Sequence, residues 1–375
     1  MARTVKDSRK KQKYKSYKRP RQGPPVGKIV FRVVSSVAAL SLATAYLSVF
    51  INPTGFWLPM FFGLYFIPLF LVNLLLLIAG IWRRRLSFLI PMLALFPSIF
   101  VMNQFAKAGN EEKVYGGENI KVLSYNLGRY EAASRGVSVE GAVAGIRDFI
   151  REEKADIVCL QEFKASDTGL VRKLLPDYPY RAYYFFKGKY YFGNVTLSRY
   201  PIIENEVIKF KQSTNLCLES DIKVGKRLVS IYNCHLESNS VSFTALIKRL
   251  RNRKLSSDDL LGMHERVKEA TLRRAIQVDS VLRRESSTST PSIVCGDLND
   301  TPLSYAYHNL SRRKKDSFVE AGSGFSSTYS KFWPLLRIDY ILLPKEYNAS
   351  HHEIKRIPYS DHYPVSTVIY FEENE

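Results

Sequence analysis

The spacing of charged residues divides the first part of the chain into apolar segments. No charged residue occurs within residues 33–82 or within residues 86–106. The turn-forming residues 52–55 interrupt the longer of these segments. Because a helix of about 20 apolar residues crosses a bilayer, this pattern predicts three transmembrane helices. Their predicted bounds are about 29–51, 56–82 and 86–106.

The third apolar segment allows a second interpretation. Pro91 and Pro97 interrupt its helical pattern, so a re-entrant or interfacial segment is the alternative to a full crossing. A cleaved signal peptide does not fit, because the basic lead is long and more than one apolar segment follows it. Three crossings are the prediction, since the 21 uncharged residues of this segment are costly to leave in water.

Beyond residue 118 the pattern changes to short apolar runs separated by loops and helical segments. Val139–Glu153 places apolar residues at helical spacing, whereas residues 120–125 and 227–234 are typical of strands. A long charged insert with helical character occupies residues 237–290. This mixture predicts one α/β domain over residues 119–375, with two packed sheets flanked by helices.

The charge distribution orients the predicted helices. The chain has 375 residues and a formal net charge of +20, and ten lysines and arginines lie within residues 1–22. A basic segment before an apolar helix usually stays in the cytoplasm, and the same rule applies to the arginines at 83–85. With three crossings, the domain after them lies outside the cytoplasm. The alternative for the basic segment is a nucleic-acid-binding arm.

Composition limits the class of protein. With 46% apolar and 24% charged residues, the chain is neither disordered nor of low complexity. Residues 111–375 hold 39 basic and 34 acidic side chains, which argues against nucleic-acid binding driven by charge over the whole chain. The predicted regions are a basic cytoplasmic tail (1–28), a membrane region (29–106), a linker (107–118) and the α/β domain (119–375).

Four cysteines lie in apolar runs that resemble strands. They are Cys159, Cys217, Cys234 and Cys295. No CxxC pair or cysteine–histidine spacing indicates a zinc site. Buried free thiols are therefore expected, with a disulfide as the alternative.

Polar residues follow several predicted strands at the point where each strand ends. They are Asn126, Glu162, His235, Asp297 with Asn299, Asp339, and Asp361 with His362. A single residue of this kind usually begins a loop or caps a helix. Because strand ends gather along one rim of a sheet, the six clusters together predict a ligand site there. Oxygen-rich donors of this kind suit Mg²⁺ or Mn²⁺ better than zinc.

These segments, in this order, resemble the endonuclease/exonuclease/phosphatase superfamily. The motifs are YN ending at Asn126, DIVCLQE ending at Glu162, His235, GDLN ending at Asn299, RIDYIL with Asp339, and SDH ending at His362. Residues 193–202 also look like the family's G-x-x-x-x-S-R-x-P-I strand and turn. The resemblance covers about residues 119–372. It implies a four-layered α/β sandwich with two central mixed sheets, the deoxyribonuclease I-like fold.

The resemblance implies a role for each matched residue. The metal-binding positions correspond to Glu162, Asn126 and Asp361. The catalytic positions correspond to His362, Asp339, Asp297, Asn299 and His235. The substrate-contacting positions correspond to Asn126, Asn299, His235 and, more weakly, Tyr232, for which an ordinary strand aromatic is the alternative. Either Asp297 or His362 would remove the proton from the attacking water.

One position departs from part of the family. Some of its nucleases place an acid two residues after the first asparagine, where this chain has Gly128. A metal contact from that position is therefore absent. This difference argues mildly against the abasic-site endonuclease branch, but it does not argue against catalysis.

The resemblance implies a hydrolase of phosphodiester bonds that depends on Mg²⁺ or Mn²⁺, and the predicted transmembrane helices would anchor it to the membrane. A nuclease-like phosphodiesterase is the first prediction, and a phospholipid or sphingomyelin phosphodiesterase is the alternative. A third hypothesis, a non-catalytic membrane-tethered binding module, is opposed by the intact Glu162 and His362. The expected partners are a nucleic-acid or phospholipid substrate and the lipid bilayer, and no protein partner follows from the sequence.

Two aromatic segments bear on the substrate. Residues 183–192 and the loop at 331–336 are both rich in aromatic side chains. Such segments can stack nucleobases or enter a lipid interface. For residues 183–192, a strand–turn–strand with packed aromatics is the favoured interpretation.

Overall fold

The chain folds into a set of N-terminal helices followed by an α/β domain. The computed structural model describes residues 26–109, 115–130, 136–166, 169–239, 249, 251–252 and 256–372. The predicted basic tail falls almost entirely outside these residues, as do parts of the predicted linker and of the charged insert.

The described N-terminal residues include five α-helices. They are α1 (Val26–Leu47), α2 (Leu58–Leu64), α3 (Phe66–Trp82), α4 (Leu89–Leu95) and α5 (Ser98–Val101). Two helical segments of the described chain, Val26–Phe50 and Leu86–Gln104, are long and apolar enough to cross a membrane. The helices α2 and α3 form a third candidate, which is bent by 70°. These apolar helices suggest membrane association.

Two six-stranded mixed sheets form the centre of the α/β domain. The first contains β2 (Asn119–Asn126), β3 (Ile157–Ala165), β4 (Tyr180–Phe186), β5 (Tyr191–Ser198), β13 (Asn348–Ile354) and β14 (Val365–Tyr370). The second contains β6 (Ile202–Lys209), β7 (Leu216–Val224), β8 (Arg227–His235), β9 (Ser292–Asp297), β10 (Lys314–Asp316) and β12 (Asp339–Pro344). The strand orders are β13-β14-β2-β3-β5-β4 and β10-β12-β9-β8-β7-β6.

Helices cover the outer faces of both sheets. They are α6 (Val139–Glu153), α7 (Leu170–Leu174), α8 (Ser257–Glu285) and α9 (Tyr305–Ser311). The short helix α10 (Ser317–Ala321) lies instead beside β12 and β13, where Ala321 contacts the core between the sheets. The inner faces of the two sheets pack on each other through residues such as Ile120 and Ile231. Helix α6 packs on the outer face of the first sheet and α8 on that of the second, through Ile150 and Val278. These four layers confirm the predicted fold class.

Helix α6 illustrates how the sequence fixes local structure. Ser138 caps its start, because the side-chain oxygen accepts a hydrogen bond from the Gly141 amide. Its apolar residues Ile146, Phe149 and Ile150 are buried against the sheet. The helix has the bounds that its apolar spacing predicts. Residues 183–192 likewise form the predicted strand–turn–strand, as parts of β4 and β5. Their aromatic side chains are not packed in the core as expected, because all of them are exposed or only partly buried.

The α/β domain is held against the N-terminal helices by side-chain contacts. Asn52 Nδ2 donates to the Tyr305 hydroxyl at 3.3 Å, and the Tyr65 hydroxyl lies 2.9 Å from His264 Nε2. Leu303 of the domain packs into the apolar cluster of the helices. Two short strands, β1 (Ala106–Lys107) and β11 (Gly324–Phe325), pair where the last helix leads into the domain. The helices and the domain therefore share an extended interface.

All four cysteines are buried and free, as the sequence predicts. Cys217 and Cys234 lie opposite each other on β7 and β8, with their sulfur atoms 2.9 Å apart. Cys159 and Cys295 belong to the apolar core between the sheets. Burial raises the pKa of the Cys217 thiol, which disfavours a reactive thiolate there.

Buried His352 makes the stability of the fold depend on pH. Its Nδ1 lies 2.9 Å from Ser317 Oγ, and burial together with nearby Arg337 lowers its pKa to about 3. As the pH falls, the unfolded chain therefore binds this proton before the folded chain does. This effect should lower the free energy of unfolding by about 2 kcal/mol between about pH 6.5 and about pH 5.

The variant His352→Gln should lose this part of the pH dependence, because glutamine carries no proton to titrate. Urea unfolding of the full chain in detergent, measured at several pH values, gives the slope for each protein. The exposed neighbour His351 provides a control, and His351→Asn should keep the wild-type slope. Equal slopes for the wild type and His352→Gln would contradict the prediction.

Candidate active site

Several strands bring polar residues to one edge of the two packed sheets. β2 ends at Asn126, and β8 ends at His235. Asp297, at the end of β9, lies opposite His235 on one side and opposite Asp339 of β12 on the other. Because each residue begins or ends a buried strand, the packed core holds its backbone in place.

Asp297 is held by three hydrogen-bond donors. Asn126 Nδ2 donates to Oδ2 at 2.8 Å, which links the first sheet to the second. The Asn299 amide donates to Oδ1 at 2.8 Å, and Asn299 Nδ2 donates to Oδ2 at 3.1 Å. Asn299 adopts the left-handed backbone region, with φ +52°. The sequence-predicted pair Asp297 and Asn299 is thus one hydrogen-bonded unit, and Asn126 belongs to it.

His362 lies between two carboxylates. Its Nδ1 is 3.0 Å from Asp339 Oδ2, and its Nε2 is 3.9 Å from Asp297 Oδ2. The Thr328 hydroxyl accepts a hydrogen bond from the Asp339 amide, which fixes the start of β12. With Asp339 on Nδ1, the Nε2 edge of the imidazole faces the rest of the cluster.

The electrostatics of this group shift two pKa values upward. Burial raises the pKa of Asp297 to about 7, and the neighbouring His362 opposes this rise. Burial alone would lower the pKa of His362, but Asp339 and Asp297 raise it to about 10. At neutral pH His362 is therefore a charged hydrogen-bond donor. Asp297 titrates in the range where a carboxylate can accept a proton from water.

Glu162 reaches the cleft from an irregular position in β3. The strand register shifts between Leu160 and Phe163, and Glu162 itself has φ +51°. A non-glycine residue in this region is uncommon and is held in place by the surrounding sheet. The bulge turns the carboxylate toward the cleft, where Oε2 accepts a hydrogen bond from Arg129 Nε at 3.1 Å.

His235 carries a buried nitrogen with no hydrogen-bond partner among the described residues. This atom, Nε2, lies 3.5 Å from Glu162 Oε1 and 3.9 Å from Asp297 Oδ2. Burial lowers the pKa of His235, so the ring is neutral at neutral pH. A neutral imidazole with a free nitrogen beside two carboxylates is suited to contact a bound ligand.

Gly128 provides space for Asp361. A Cβ atom at residue 128 would lie 2.7 Å from Asp361 Oδ1 and 2.9 Å from Ser360 Oγ. The Asp361 carboxylate therefore occupies the space that the Cβ atom of an acidic residue at position 128 would need. Burial opposes ionisation of Asp361, but His362 and Lys331 lower its pKa. Lys331 Nζ lies 3.1 Å from its Oδ2.

Replacing Gly128 by alanine should lower the free energy of unfolding. The new Cβ would collide with the Asp361 carboxylate, and alanine is strained at the φ of +53° found there. Because such backbone strain costs on the order of 1–3 kcal/mol, urea unfolding should show a loss of at least that size. Gly136→Ala is the matched control, since Gly136 also has a positive φ but has nothing within 4 Å of the added atom. An equal loss in the two variants would contradict the predicted collision with Asp361.

Tyr232 lies away from the cluster, so its sequence-based assignment as a substrate contact is corrected to that of an ordinary strand aromatic. Its side chain is buried in the core between the second sheet and α8, and its hydroxyl donates to Glu219 Oε1 at 2.9 Å. Side chains three positions apart in a strand point to opposite faces, so Tyr232 and His235 cannot share one site.

The cleft is also lined by residues that the sequence-based assignment omits. Three of them contact the polar cluster or its acids: Arg129, Tyr329 and Lys331. Arg129 pairs with Glu162 and lies over the Phe192 ring at 4.5 Å. The Tyr329 ring meets the His362 ring edge-on at 5.2 Å. Arg129 directly follows Gly128, and Lys331 lies in the aromatic loop, but neither position carries a recognisable motif.

The cluster opens into two cavities that meet at Glu162 and Arg129. The first, of about 630 Å³, is lined by Glu162, Asp297, Asn299, Asp361 and His362 among others. The second, of about 620 Å³, includes His235 and the loop residues 212–215 in its lining. Between them, the two cavities expose the acids and histidines of the edge to solvent and ligands.

Comparison with protein families gives two matches. Residues 123–362 match the model of the "Endonuclease/Exonuclease/phosphatase family". Residues 28–105 match a family described only as a domain of unknown function (DUF8431). No curated protein matches the chain.

Comparison with solved structures shows the same fold. An endonuclease/exonuclease/phosphatase from Bacteroides vulgatus is 16% identical, with a TM-score of 0.52, and the match covers 68% of this chain and 100% of that one. D. rerio TDP2 complexed with single strand DNA product is 16% identical, with a TM-score of 0.51 and coverage of 67% and 99%. The human Nocturnin catalytic domain with bound sulfate anion is 15% identical, with a TM-score of 0.50 and coverage of 69% and 96%.

Proposed function

The chain belongs to the endonuclease/exonuclease/phosphatase family, and on this premise we propose that it is a divalent-metal-dependent phosphoesterase that hydrolyses phosphodiester bonds. Members of this family are generally hydrolases of phosphoester bonds. The observation that carries the proposal is His362, which is held between Asp339 and Asp297 at the edge that also bears Glu162. A binding module without catalysis has no need of this buried charged group.

The donor set fits a hard divalent cation such as Mg²⁺ or Mn²⁺. We assign Glu162, Asn126 and Asp361 as the residues that would hold it, since carboxylate and amide oxygens are its preferred ligands. Asp297, Asp339 and His362 also lie close enough to share an ion, with one ligand atom each within 4.8 Å of the others. We assign these three to proton transfer instead, because Asp339 already occupies Nδ1 of His362. When bound, the cation would neutralise negative charge on the phosphate.

Asp297 is the proposed general base. Its pKa of about 7 lets it accept a proton from the attacking water near neutral pH, and its three hydrogen-bond donors fix its orientation. Water adds to phosphorus as one P–O bond breaks, which gives an alcohol and a phosphomonoester. His362 donates from Nε2 to the phosphate, and Asp339 keeps its imidazole charged. His235 and Asn299 are placed as further phosphate contacts that need no reorganisation.

Hydrolysis of bis-p-nitrophenyl phosphate tests this proposal. We expect the full chain in detergent to release p-nitrophenol with Mg²⁺ or Mn²⁺, and EDTA to stop the release. An absence of EDTA-sensitive release would overturn the proposal. Equal release by His362→Ala would overturn it as well, and either result would favour the non-catalytic binding module.

We further propose that the protein crosses the membrane three times, with the N-terminus in the cytoplasm and the catalytic domain outside it. Two sets of contacts support this arrangement. Arg85 Nη1 donates to the Gly27 carbonyl at 2.6 Å, so the arginines at 83–85 lie beside the start of α1. The catalytic domain contacts the other end of α1, where Ser48 Oγ lies 3.4 Å from the Leu303 carbonyl. A reporter enzyme that folds only outside the cytoplasm should be active when it is fused after residue 375. Activity of a reporter that works only in the cytoplasm would contradict the orientation.

A further inference from the structure

The catalytic cleft has an apolar wall that comes from the N-terminal helices. The break between α2 and α3 lines the same cavity as Glu162, Asp297 and His362. Leu64, Phe66 and Ile67 are among its lining residues at this break. These residues belong to the bent helix pair that is apolar enough to be a membrane span.

A loop of the catalytic domain supplies the opposing apolar side. Phe332, Leu335 and Leu336 line the cleft from the segment before β12. The loop is attached to the catalytic edge, because the Ser330 amide donates to the Asp361 carbonyl at 2.9 Å. Apolar side chains thus reach from the helix break to the acids that would hold the metal.

The rim of this wall has the composition of a membrane interface. Trp333 and Leu335 are 42% and 51% exposed, and Phe325, which is 51% exposed, meets the Trp333 ring at 6.0 Å. Arg356 stacks over the Trp333 ring at 4.3 Å. Aromatic residues beside a basic residue are typical of the boundary between acyl chains and lipid headgroups.

The second cavity, on the other side of Glu162, is polar. Gln212, Ser213, Thr214 and Asn215 line it together with Glu237. The two cavities share Glu162 and Arg129. A phosphate near Glu162 would therefore have an apolar compartment on one side and a hydrogen-bonding compartment on the other.

The charges of the cleft do not favour a nucleic acid. Nucleic-acid binding relies on several cations that contact successive phosphates. Among the described residues that line the two cavities, the lysines and arginines are Arg129 and Lys331. Both already pair with acids of the site, Glu162 and Asp361.

We propose that the substrate is a lipid phosphodiester, with its apolar chain between the α2–α3 break and the loop at 332–336 and its polar headgroup toward residues 212–215. The proposal rests on the phosphoesterase function proposed above. Water adds to phosphorus and releases one proton, the bond from phosphorus to one ester oxygen breaks, and that oxygen takes up the released proton. One product then stays in the apolar compartment, and the other leaves through the polar one.

A series of p-nitrophenyl alkyl phosphates, from methyl to octyl, tests the apolar compartment with the full chain in lipid nanodiscs. Because burial of each methylene group is worth about 0.8 kcal/mol, kcat/KM should rise about two- to fourfold per methylene until the compartment is filled. If the methyl ester is hydrolysed in a metal-dependent way but kcat/KM does not rise with alkyl length, the lipid proposal alone is overturned. A lack of metal-dependent turnover for every member would overturn the phosphoesterase proposal too.

Leu335→Gln tests whether this wall is the chain-binding surface. The alkyl chain would cover the exposed part of Leu335, so loss of this apolar contact should lower the octyl-to-methyl ratio of kcat/KM about tenfold. Leu228→Gln is the matched control, since Leu228 is 40% exposed in β8 and lines neither cavity. An unchanged ratio in Leu335→Gln would contradict the proposed orientation. Turnover of single-stranded DNA with a kcat/KM at or above that of the octyl ester would identify a nucleic acid instead.

Discussion

Glu162→Gln is expected to lower metal-dependent phosphodiester hydrolysis by about 10²-fold or more. Glutamine keeps the size of the side chain and one oxygen, but it removes the negative charge that we assign to the cation. The change also removes the ion pair with Arg129, whose Nε lies 3.1 Å from Oε2. Activity should be measured with bis-p-nitrophenyl phosphate over a range of Mn²⁺ concentrations.

Binding of Mn²⁺, followed by electron paramagnetic resonance, separates a lost ligand from a lost catalytic group. Glu162→Gln should weaken binding as well as turnover. Glu204→Gln is the control, because Glu204 is an exposed carboxylate on the edge strand β6. Unchanged Mn²⁺ affinity together with a large loss of turnover would remove Glu162 from the proposed ligand set and leave it a different catalytic role.

His362→Gln is expected to cause a loss of similar size, about 10²-fold or more, because it removes the charged donor to the phosphate. Asp339→Asn should act through the same group, since Asp339 contacts His362 at 3.0 Å. The double variant should therefore be hardly less active than His362→Gln alone. Additive losses would indicate that Asp339 and His362 work independently, and this would contradict the proposed pair.

The pH dependence of the Asp339 variant gives a second measurement. Asp339 and Asp297 together raise the pKa of His362, so Asp339→Asn should move the basic limb of the pH–rate profile to lower pH. His351→Asn, at an exposed histidine outside the cleft, should leave the profile unchanged. An unshifted basic limb in Asp339→Asn would mean that another group controls it.

The central layers of the domain could be predicted from the sequence because the spacing of their apolar residues distinguishes strands from helices. Strands such as β2 and β8 consist mostly of apolar residues between their ends, and α6 repeats its apolar residues at helical spacing. The edge strand β6 was not predicted, since Glu204 and Glu206 leave it mostly exposed. Its place is decided by pairing with β7, and the local sequence does not record that pairing.

The candidate site could be predicted in part, because strand ends carry unusual polar residues that the core brings together. The error at Tyr232 came from a residue near His235 in sequence that faces the opposite side of the strand. The role of Gly128 could not be read from the sequence, because Asp361 fills its space only after the chain has folded. The apolar wall at Leu64 and Phe66 also required the tertiary contact between the helices and the domain.

The interface between the helices and the domain restricts the position of the cleft relative to the helices. Asn52 bonds to Tyr305, Tyr65 lies against His264, and the strand at Ala106–Lys107 pairs with Gly324–Phe325. These contacts restrain the position and orientation of the cleft relative to the helices, which a flexible linker alone would not do. In the membrane arrangement that we propose, the cleft would sample only a thin layer beside the bilayer. For the proposed lipid substrate, the rate would then depend on the number of substrate molecules per unit area, and diluting them with inert lipid would slow hydrolysis at constant bulk concentration.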